Sequence, residues 1–415
     1  MINQKPHTNS AAYKWYVLAL AALTHTLVMA IPTMAMPVLF KEIADDLGLN
    51  LVQLGAIWGM GALTGMFTGL LGGSVGDRFG ANRALTVACL LAGSAGALRG
   101  FANDFITLAA AMLLFGFITP VIPMNIHKTC GIWFSGKNLG LANGVVSAGM
   151  ALGFMIGSLI SATVISPWLG GWQYVLFLYG GIAMAMSLPW ALVKAAPDDA
   201  QQSGRTFSTT SMRHAFWQVV RLKNVWLLGL AIMGIGGGIQ GALGYLPLYL
   251  RGIGWPAAQA DTALATFHAV SMLGVMPIAI FSDRIGSRKM ILISATIAIA
   301  VGIGLLTVVQ GMVVWMAVII AGLFRDGFMA IFMTSVIEIK GVGAMYAGTA
   351  TGFTLIFLQI GHLIAPPAGN SLAAFNPGTP FAFWALLAIL GLVCLYFYKE
   401  TGSQVTYSSP LPEAV

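Results

Sequence analysis

Apolar residues fall in twelve long runs along the chain, each bounded by short polar turns. The runs cover 14–38, 52–75, 83–101, 105–133, 139–165, 171–194, 223–248, 259–281, 288–308, 311–337, 343–367 and 379–398. Each approaches or exceeds the roughly 20 residues that a helix needs to cross the hydrocarbon core of a bilayer. The pattern therefore predicts twelve transmembrane helices, numbered here as spans 1–12. One break is longer than the rest. Residues 195–222 carry Asp198-Asp199, Gln201-Gln202, Ser203-Gly204 and a Ser/Thr cluster, and read as a loop between two six-helix halves. The expected organisation is a bundle over 1–194, a central loop over 195–222, a second bundle over 223–399 and a tail over 400–415.

Composition agrees. The chain of 415 residues is 58% hydrophobic and only 8% charged, against about 25% charged in soluble domains. Its 51 glycines and 22 methionines suit a membrane bundle, where small residues let helices approach closely. Cys89, Cys130 and Cys394 show no CxxC spacing and read as packing thiols, with no metal site or disulfide framework. Residues Met1–Tyr13 hold one basic residue, Lys5, and no small-residue cleavage site follows the first apolar run. That run is expected to stay as a helix and not to be removed as a signal peptide.

The net charge of +7 raises the question of nucleic acid, and its distribution answers it. With both termini on one side, that side receives sixteen of the twenty basic residues: Lys5, Lys14, Arg78, Arg83, Lys128, Lys137, Lys194, Arg205, Arg213, Arg221, Lys223, Arg284, Arg288, Lys289, Lys340 and Lys399. The other side receives Lys41, Arg99 and Arg251, and Arg325 falls inside a span. Such asymmetry marks the cytoplasmic face. The charge is a topology signal, and no nucleic-acid partner is expected. Both termini are placed in the cytoplasm and the chain in a bacterial inner membrane.

A charged string occurs twice. Gly76-Asp77-Arg78-Phe79-Gly80-Ala81-Asn82-Arg83 follows span 2, and Ser282-Asp283-Arg284-Ile285-Gly286-Ser287-Arg288-Lys289 follows span 8, with Asp77 and Asp283 206 residues apart. Met36-Pro37-Val38-Leu39-Phe40-Lys41 at the end of span 1 parallels Leu246-Pro247-Leu248-Tyr249-Leu250-Arg251 at the end of span 7. Internal repeats of this kind accompany transporters whose halves rock about a central site. The fold class expected is all-α, with twelve helices in two pseudo-symmetric six-helix bundles.

These residues resemble a known family. Twelve spans in two halves, with Gly73-x-x-x-Asp77-Arg78-x-Gly80-x-x-Arg83 between spans 2 and 3, are similar to the major facilitator superfamily. The motif recurs as Ala279-x-x-x-Asp283-Arg284-x-Gly286-x-Arg288-Lys289, with alanine in place of the family's first glycine. The segment Trp133–Gly144 resembles the span 4–5 region of bacterial organic-anion carriers, the oxalate/formate, monocarboxylate and nitrate/cyanate groups. The resemblance implies that spans 1, 4, 7 and 10 line a central cavity. It also implies that Gly73, Asp77, Arg78, Gly80, Arg83, Asp283, Arg284, Gly286 and Arg288 latch the cytoplasmic side, and that the protein is a monomer. Span 5 reads Gly149-x-x-x-Gly153-x-x-x-Gly157 without the Gly-Pro pair usual in drug/proton antiporters.

An ionisable residue inside a bilayer is a functional candidate by default, because burying charge is costly. Arg325 and Asp326 lie about thirteen residues into span 10, near the midplane at about 1.5 Å rise per residue. Arg325 stays protonated and presents a planar fork suited to carboxylates. It is the leading anion-binding candidate. Asp326 is a candidate proton carrier, and side chains of consecutive helical residues splay about 100° apart, so the two need not pair. A buried structural ion pair is the alternative. His25 in span 1 is a candidate for substrate binding and for proton coupling. Asn125 in span 4 and Gln240 and Tyr245 in span 7 are expected to line the cavity. His268 and His362 rank lower, as core histidines of spans 8 and 11. Lys128 either draws anions to the inner mouth or snorkels to the interface.

No Walker loop or HExxH occurs, so no enzyme, cofactor or metal is expected. The sequence reading is a secondary transporter of a small organic anion, mono- or dicarboxylate-like, working by alternating access with proton coupling or exchange. The rival is proton-coupled efflux of hydrophobic or cationic drugs, with Asp326 as the cation site. A transporter-like receptor ranks last.

Overall fold

The computed structural model describes residues 8–134, 137–193 and 212–400. Twelve helical spans run through it: Ala12–Leu47, Leu51–Thr68, Ala81–Phe101, Phe105–Trp133, Asn138–Leu169, Trp172–Leu192, Lys223–Gly252, Ala257–Ser282, Arg288–Leu305, Val313–Ile337, Met345–Ala374 and Thr379–Phe397. Among the described residues there is no strand. The helix of span 2 continues to Phe79 and that of span 8 to Ile285. Every span predicted from the apolar pattern is present, and most ends agree within a few residues. The start of span 1 and the end of span 12 lie on one side, called here the terminus side; the opposite side is the far side.

Local chemistry sets several helix ends. Asn50 and Gln53 form a reciprocal capping box at the start of span 2, which satisfies two of the amides left open at a helix N-terminus. Asp104 accepts from the Thr107 amide at 2.8 Å and begins span 4. Spans 1 and 7 both carry a proline inside the helix, Pro37 and Pro247, at the positions that the sequence repeat pairs. Spans 4 and 10 are both broken near mid-length. Span 4 divides between Phe105–Ile118 and Val121–Trp133, and span 10 between Val313–Leu323 and Arg325–Ile337. Proline at position 120 removes a backbone donor and explains the first break. The second, at Phe324, occupies the equivalent point of the repeat without a proline.

The helices gather as two bundles. Span 3 packs on span 6 and span 2 on span 4 in the N-terminal half; span 7 packs on spans 11 and 12 and span 9 on span 12 in the C-terminal half. The halves meet through spans 2 and 11, 5 and 8, and 1 and 7. Named contacts between halves concentrate toward the far side. Trp58 donates its indole N–H to the Gln240 carbonyl at 2.7 Å, and Asn370 donates to the Leu51 carbonyl at 2.7 Å. Gly55 and Gly59 pass directly against the Pro366-Pro367 and His362-Leu363 backbones, an approach that a side chain on either glycine would block.

The segment predicted as a central loop differs in its second part. Residues 194–211 and the tail 401–415 lie outside the described residues, as do Lys5, Lys194 and Arg205. Residues Met212–Val220 form a helix, not a loop. Val219 is fully buried, and Phe216 meets Phe353 of span 11 edge-on at 6.0 Å. The apolar face hidden among the polar residues of this segment is what anchors it.

Candidate functional site

Arg325 opens the second segment of span 10, directly after the break at Phe324. Its Nη1 lies 2.9 Å from Asp326 Oδ1, with both side chains about three-quarters buried. The pair is ionic contact without hydrogen-bond alignment, since Nη1 has no partner in that geometry. Consecutive helical side chains splay apart, and here the two meet nonetheless. The Asp326 amide donates to Ser271 Oγ of span 8 at 3.2 Å. The Arg325 guanidinium stands 5.8 Å from the ring of Phe154 in span 5, so it faces the other half across the interface.

Two histidines that ranked low in the sequence gather around it. His268 and His362 both lie within electrostatic reach of Arg325. His268 is buried, both its ring nitrogens lack a partner, and its ring is 5.2 Å from that of Phe154. The backbone of His362 touches Gly59 of the N-terminal half. Arg325, Asp326, His268 and Phe154 thus form one mid-span cluster at the junction of the halves, with His362 within its electrostatic reach. A buried polar atom without a partner is costly, and an arriving ligand can supply it.

The other sequence candidates fall elsewhere. His25 begins a π-helical turn, His25–Ala30, a geometry that recurs at functional sites. It is buried, a Val146 backbone group approaches it short of hydrogen-bond geometry, and neither ring nitrogen has a partner. Its ring lies edge-on to that of His127 at 6.3 Å, and His127 Nδ1 is 3.0 Å from Asn143 Oδ1. Thr24 and Thr26 on either side are tied to Trp190 and to the Gly149 carbonyl. This is a second polar cluster, wholly within the N-terminal half.

Asn125 and Tyr245, expected to line the cavity, are both buried. Asn125 is fully buried, donates to the Val121 carbonyl at 2.8 Å, and sits against Gly76 of span 2. Tyr245 donates its hydroxyl to the Pro377 carbonyl at 3.1 Å and packs on Phe381 and Trp384 of span 12. Both side chains are used for packing inside one half. Gln240 is partly buried, and its carbonyl takes the Trp58 bond between halves.

The repeated turns are tied within their own halves. Lys128 donates to Asp77 at 2.5 Å. Arg78 lies over the Phe79 ring at 5.5 Å. Gly80 and Gly286 adopt positive φ, 87° and 72°, which a side chain disfavours. In the second turn Arg288 donates its Nε–H to Glu338 and its backbone N–H to Glu400, both at 2.6 Å. Arg83 and Arg284 are exposed. The surroundings of Gly73 and of the Asp283 side chain lie outside the described residues. An apolar cavity of about 550 Å³ opens between spans 2, 3 and 4, lined by Phe79, Arg83, Leu91 and Phe117 among others. It holds none of the mid-span polar groups and is not the candidate site.

Sequence reasoning missed two buried charges, which it counted only as basic residues of the side opposite the termini. Arg99 is fully buried at the end of span 3. Its guanidinium lies 4.1 Å from the Phe115 ring and reaches the Gly96 and Pro32 carbonyls at 3.3 and 3.4 Å. Arg251 Nη2 contacts both carboxylate oxygens of Asp261, at 2.6 and 2.7 Å, and Asp261 is fully buried. The only hint in the sequence was Asp261 itself, a few residues inside an apolar run.

Comparison with known proteins gives a consistent picture. The chain is 25% identical to a 3-(3-hydroxy-phenyl)propionate transporter of Escherichia coli, over 84% of this chain and 87% of the relative. It is 23% identical to a probable sulfoacetate transporter of Cupriavidus necator, over 85% and 86%, and 22% identical to the multidrug resistance protein MdtH of Aeromonas hydrophila, over 92% and 93%. Its fold matches the crystal structure of a bacterial homologue of the human lysosomal transporter Spinster, in an inward-facing and unoccupied conformation. That match has a TM-score of 0.76 at 16% identity, over 93% of this chain and 96% of the other. The model of the Major Facilitator Superfamily matches residues 18–366. With twelve spans in two bundles, the chain belongs to that superfamily and is an integral membrane transporter of small solutes by alternating access, not an enzyme.

Proposed function

We propose that the protein carries a small organic anion, binding its carboxylate at Arg325. The observation that supports this most is the position of that guanidinium: mid-span, beside a helix break, partly accessible and facing the opposite half. Arginine holds its charge at any physiological pH and offers several N–H donors in a plane. Its contact with Asp326 leaves donors free for a second carboxylate. Phe154 and His268 beside it suit a substrate with an apolar or aromatic body. The named substrates of the first two relatives above are carboxylates as well.

Asp326 or His25 would carry a coupling proton, or the anion would move by exchange. His362 and Gln240 complete the site on the C-terminal side. The two halves would divide at 194/195 and 222/223, with the tail from 400. The basic residues of the terminus side support cytoplasmic termini in a bacterial inner membrane, and the working unit is a monomer.

Drug efflux is the competing reading, favoured by the likeness to MdtH. A cation site at Asp326 needs unmatched negative charge, and Arg325 already offsets it. A thermal-shift panel on the purified protein separates the two, because a ligand that binds the folded state raises the melting temperature. Stabilisation by a carboxylate in the wild type, lost in Arg325→Gln, supports the anion reading. Stabilisation by lipophilic cations alone overturns it.

A further inference from the structure

Arg99 ends span 3 on the far side, and its side chain is fully buried. A guanidinium keeps its charge at physiological pH, and a buried charge is costly unless it is paired. No described carboxylate pairs with this one. The elements packed against it are spans 3, 4 and 6, and Ala81–Leu98, Phe105–Ile118 and Trp172–Leu192 hold no acidic residue. The five described carboxylates of the N-terminal half have other partners. Asp45 pairs with Lys41 and Asp77 with Lys128. Glu42 accepts from Ser166, Asp46 from Trp172 and Gln173, and Asp104 from Thr107.

The contacts that Arg99 does make compensate it only in part. Its Nε and Nη1 donate to the Gly96 and Pro32 carbonyls at 3.3 and 3.4 Å, longer than the usual 2.9–3.0 Å or so. Nη1 also lies 3.9 Å from the Met112 sulfur, and the Phe115 ring covers the guanidinium at 4.1 Å. The C-terminal end of the span 3 helix supplies about half an elementary charge. Nη2 is buried and has no hydrogen-bond partner among the described residues. Beside it stands Gly96, which has no side chain to fill the space. A Cβ on Gly96 would find Nη2 at 3.5 Å and the Phe115 ring edge and Gly180 Cα at 3.8 Å as its nearest contacts outside the helix backbone.

We infer that Arg99 is the positive side of an internal anion site and takes a small monovalent anion of halide size, chloride in the cell. The anion accepts from Nη2 beside Gly96, next to the ring edge of Phe115, which is the electropositive part of an aromatic ring. It balances the buried charge and ties together spans 1, 3, 4 and 6, all of which meet Arg99 at the far side. The space bounded by Gly96, Gly180 and Phe115 suits a single atom better than a carboxylate or sulfate. This site goes beyond the transport reading and is independent of it, since Arg325 lies in the other half.

Thermal unfolding of the purified protein in detergent tests the inference, with gluconate replaced stepwise by chloride at constant ionic strength. A ligand that binds the folded state raises the melting temperature with the logarithm of its concentration above Kd, here by about 1–3 °C for each tenfold rise. The wild type is expected to respond to chloride and bromide but not to sulfate. Arg99→Met should lose the response. Gly96→Ala keeps the arginine, fills the space at ordinary contact distances and favours the helix. It should melt at least as high as the wild type in gluconate and no longer respond to chloride. Arg325→Gln should respond as the wild type does, which separates this site from carboxylate binding in the other half. A wild type indifferent to chloride, the result expected if a neutral water satisfies Nη2, overturns the inference. A response retained by Arg99→Met or by Gly96→Ala overturns it as well, and Gly96→Ala decides alone if Arg99→Met does not fold.

Discussion

Arg325 and Asp326 are consecutive in the chain, and their side chains meet, Nη1 to Oδ1 at 2.9 Å. Both open the helix that follows the break at Phe324. The pair cancels most of the local charge while leaving guanidinium donors that face Phe154 of the other half. On the reading proposed above, an anion can be held there without leaving a lone buried cation when it departs.

Arg325→Gln should therefore weaken carboxylate binding strongly. Charge-assisted hydrogen bonds contribute about 1.5–3 kcal/mol each, so affinity should fall by roughly 10- to 100-fold. Asp326→Asn should keep carboxylate binding within a few-fold of the wild type. Isothermal titration in detergent with the best ligand of the panel reads both.

Span 8 passes Gly274 directly against the carbonyl of Leu323, the residue before the break. A Cβ at position 274 would fall 2.0 Å from that oxygen, far inside contact distance. Gly274→Ala must push spans 8 and 10 apart at the candidate site. It should cost about 1–3 kcal/mol of stability and lower transport as well. Thermal unfolding together with uptake into proteoliposomes measures the two effects; an unchanged melting temperature would contradict this packing.

Phe115 covers the buried guanidinium of Arg99 at 4.1 Å. A desolvated cation–π contact is worth about 2 kcal/mol. Phe115→Leu keeps the apolar bulk and removes the ring face, so the N-terminal half should lose about 1–2 kcal/mol. Arg99→Met, an apolar replacement of similar length, should be tolerated better than Arg99→Ala. Melting temperatures of the three variants test the ordering.

Asp104 caps span 4, and its carboxyl lies below the usual carboxylate range because the Thr107 amide donates to it. A group depressed in the folded state stabilises above its unfolded pKa and loses that contribution as pH falls through the folded value. The cap is thus fully effective above about pH 4 and fades at lower pH. Asp104→Asn keeps a capping oxygen without the titration. Its melting temperature should fall less steeply than that of the wild type between pH 5 and pH 2.5.

Much of the fold could be read directly from the sequence, for a physical reason. A bilayer obliges every spanning segment to be long, apolar and helical, so the run lengths that define Phe105–Trp133 or Lys223–Gly252 are written in composition. The repeat likewise announced itself at Pro37 and Pro247 and at the two charged turns. The helix Met212–Val220 escaped because its apolar face is short and depends on Phe353, far away in the chain. Arg325 stood out as a charge in mid-run. Its surroundings did not, because Phe154, His268 and His362 come from three other spans, two in its own half and one in the other, that only tertiary packing brings near. Asn125 and Tyr245 were drawn into one half by Gly76 and Pro377, contacts that no periodicity encodes. The sequence by itself determined that this chain is a twelve-span, two-half membrane protein with a mid-span arginine. The tertiary structure alone decided which charges meet, because Asp261 finds Arg251 only where the ends of spans 7 and 8 converge, and Lys128 finds Asp77 only where span 4 meets the end of span 2.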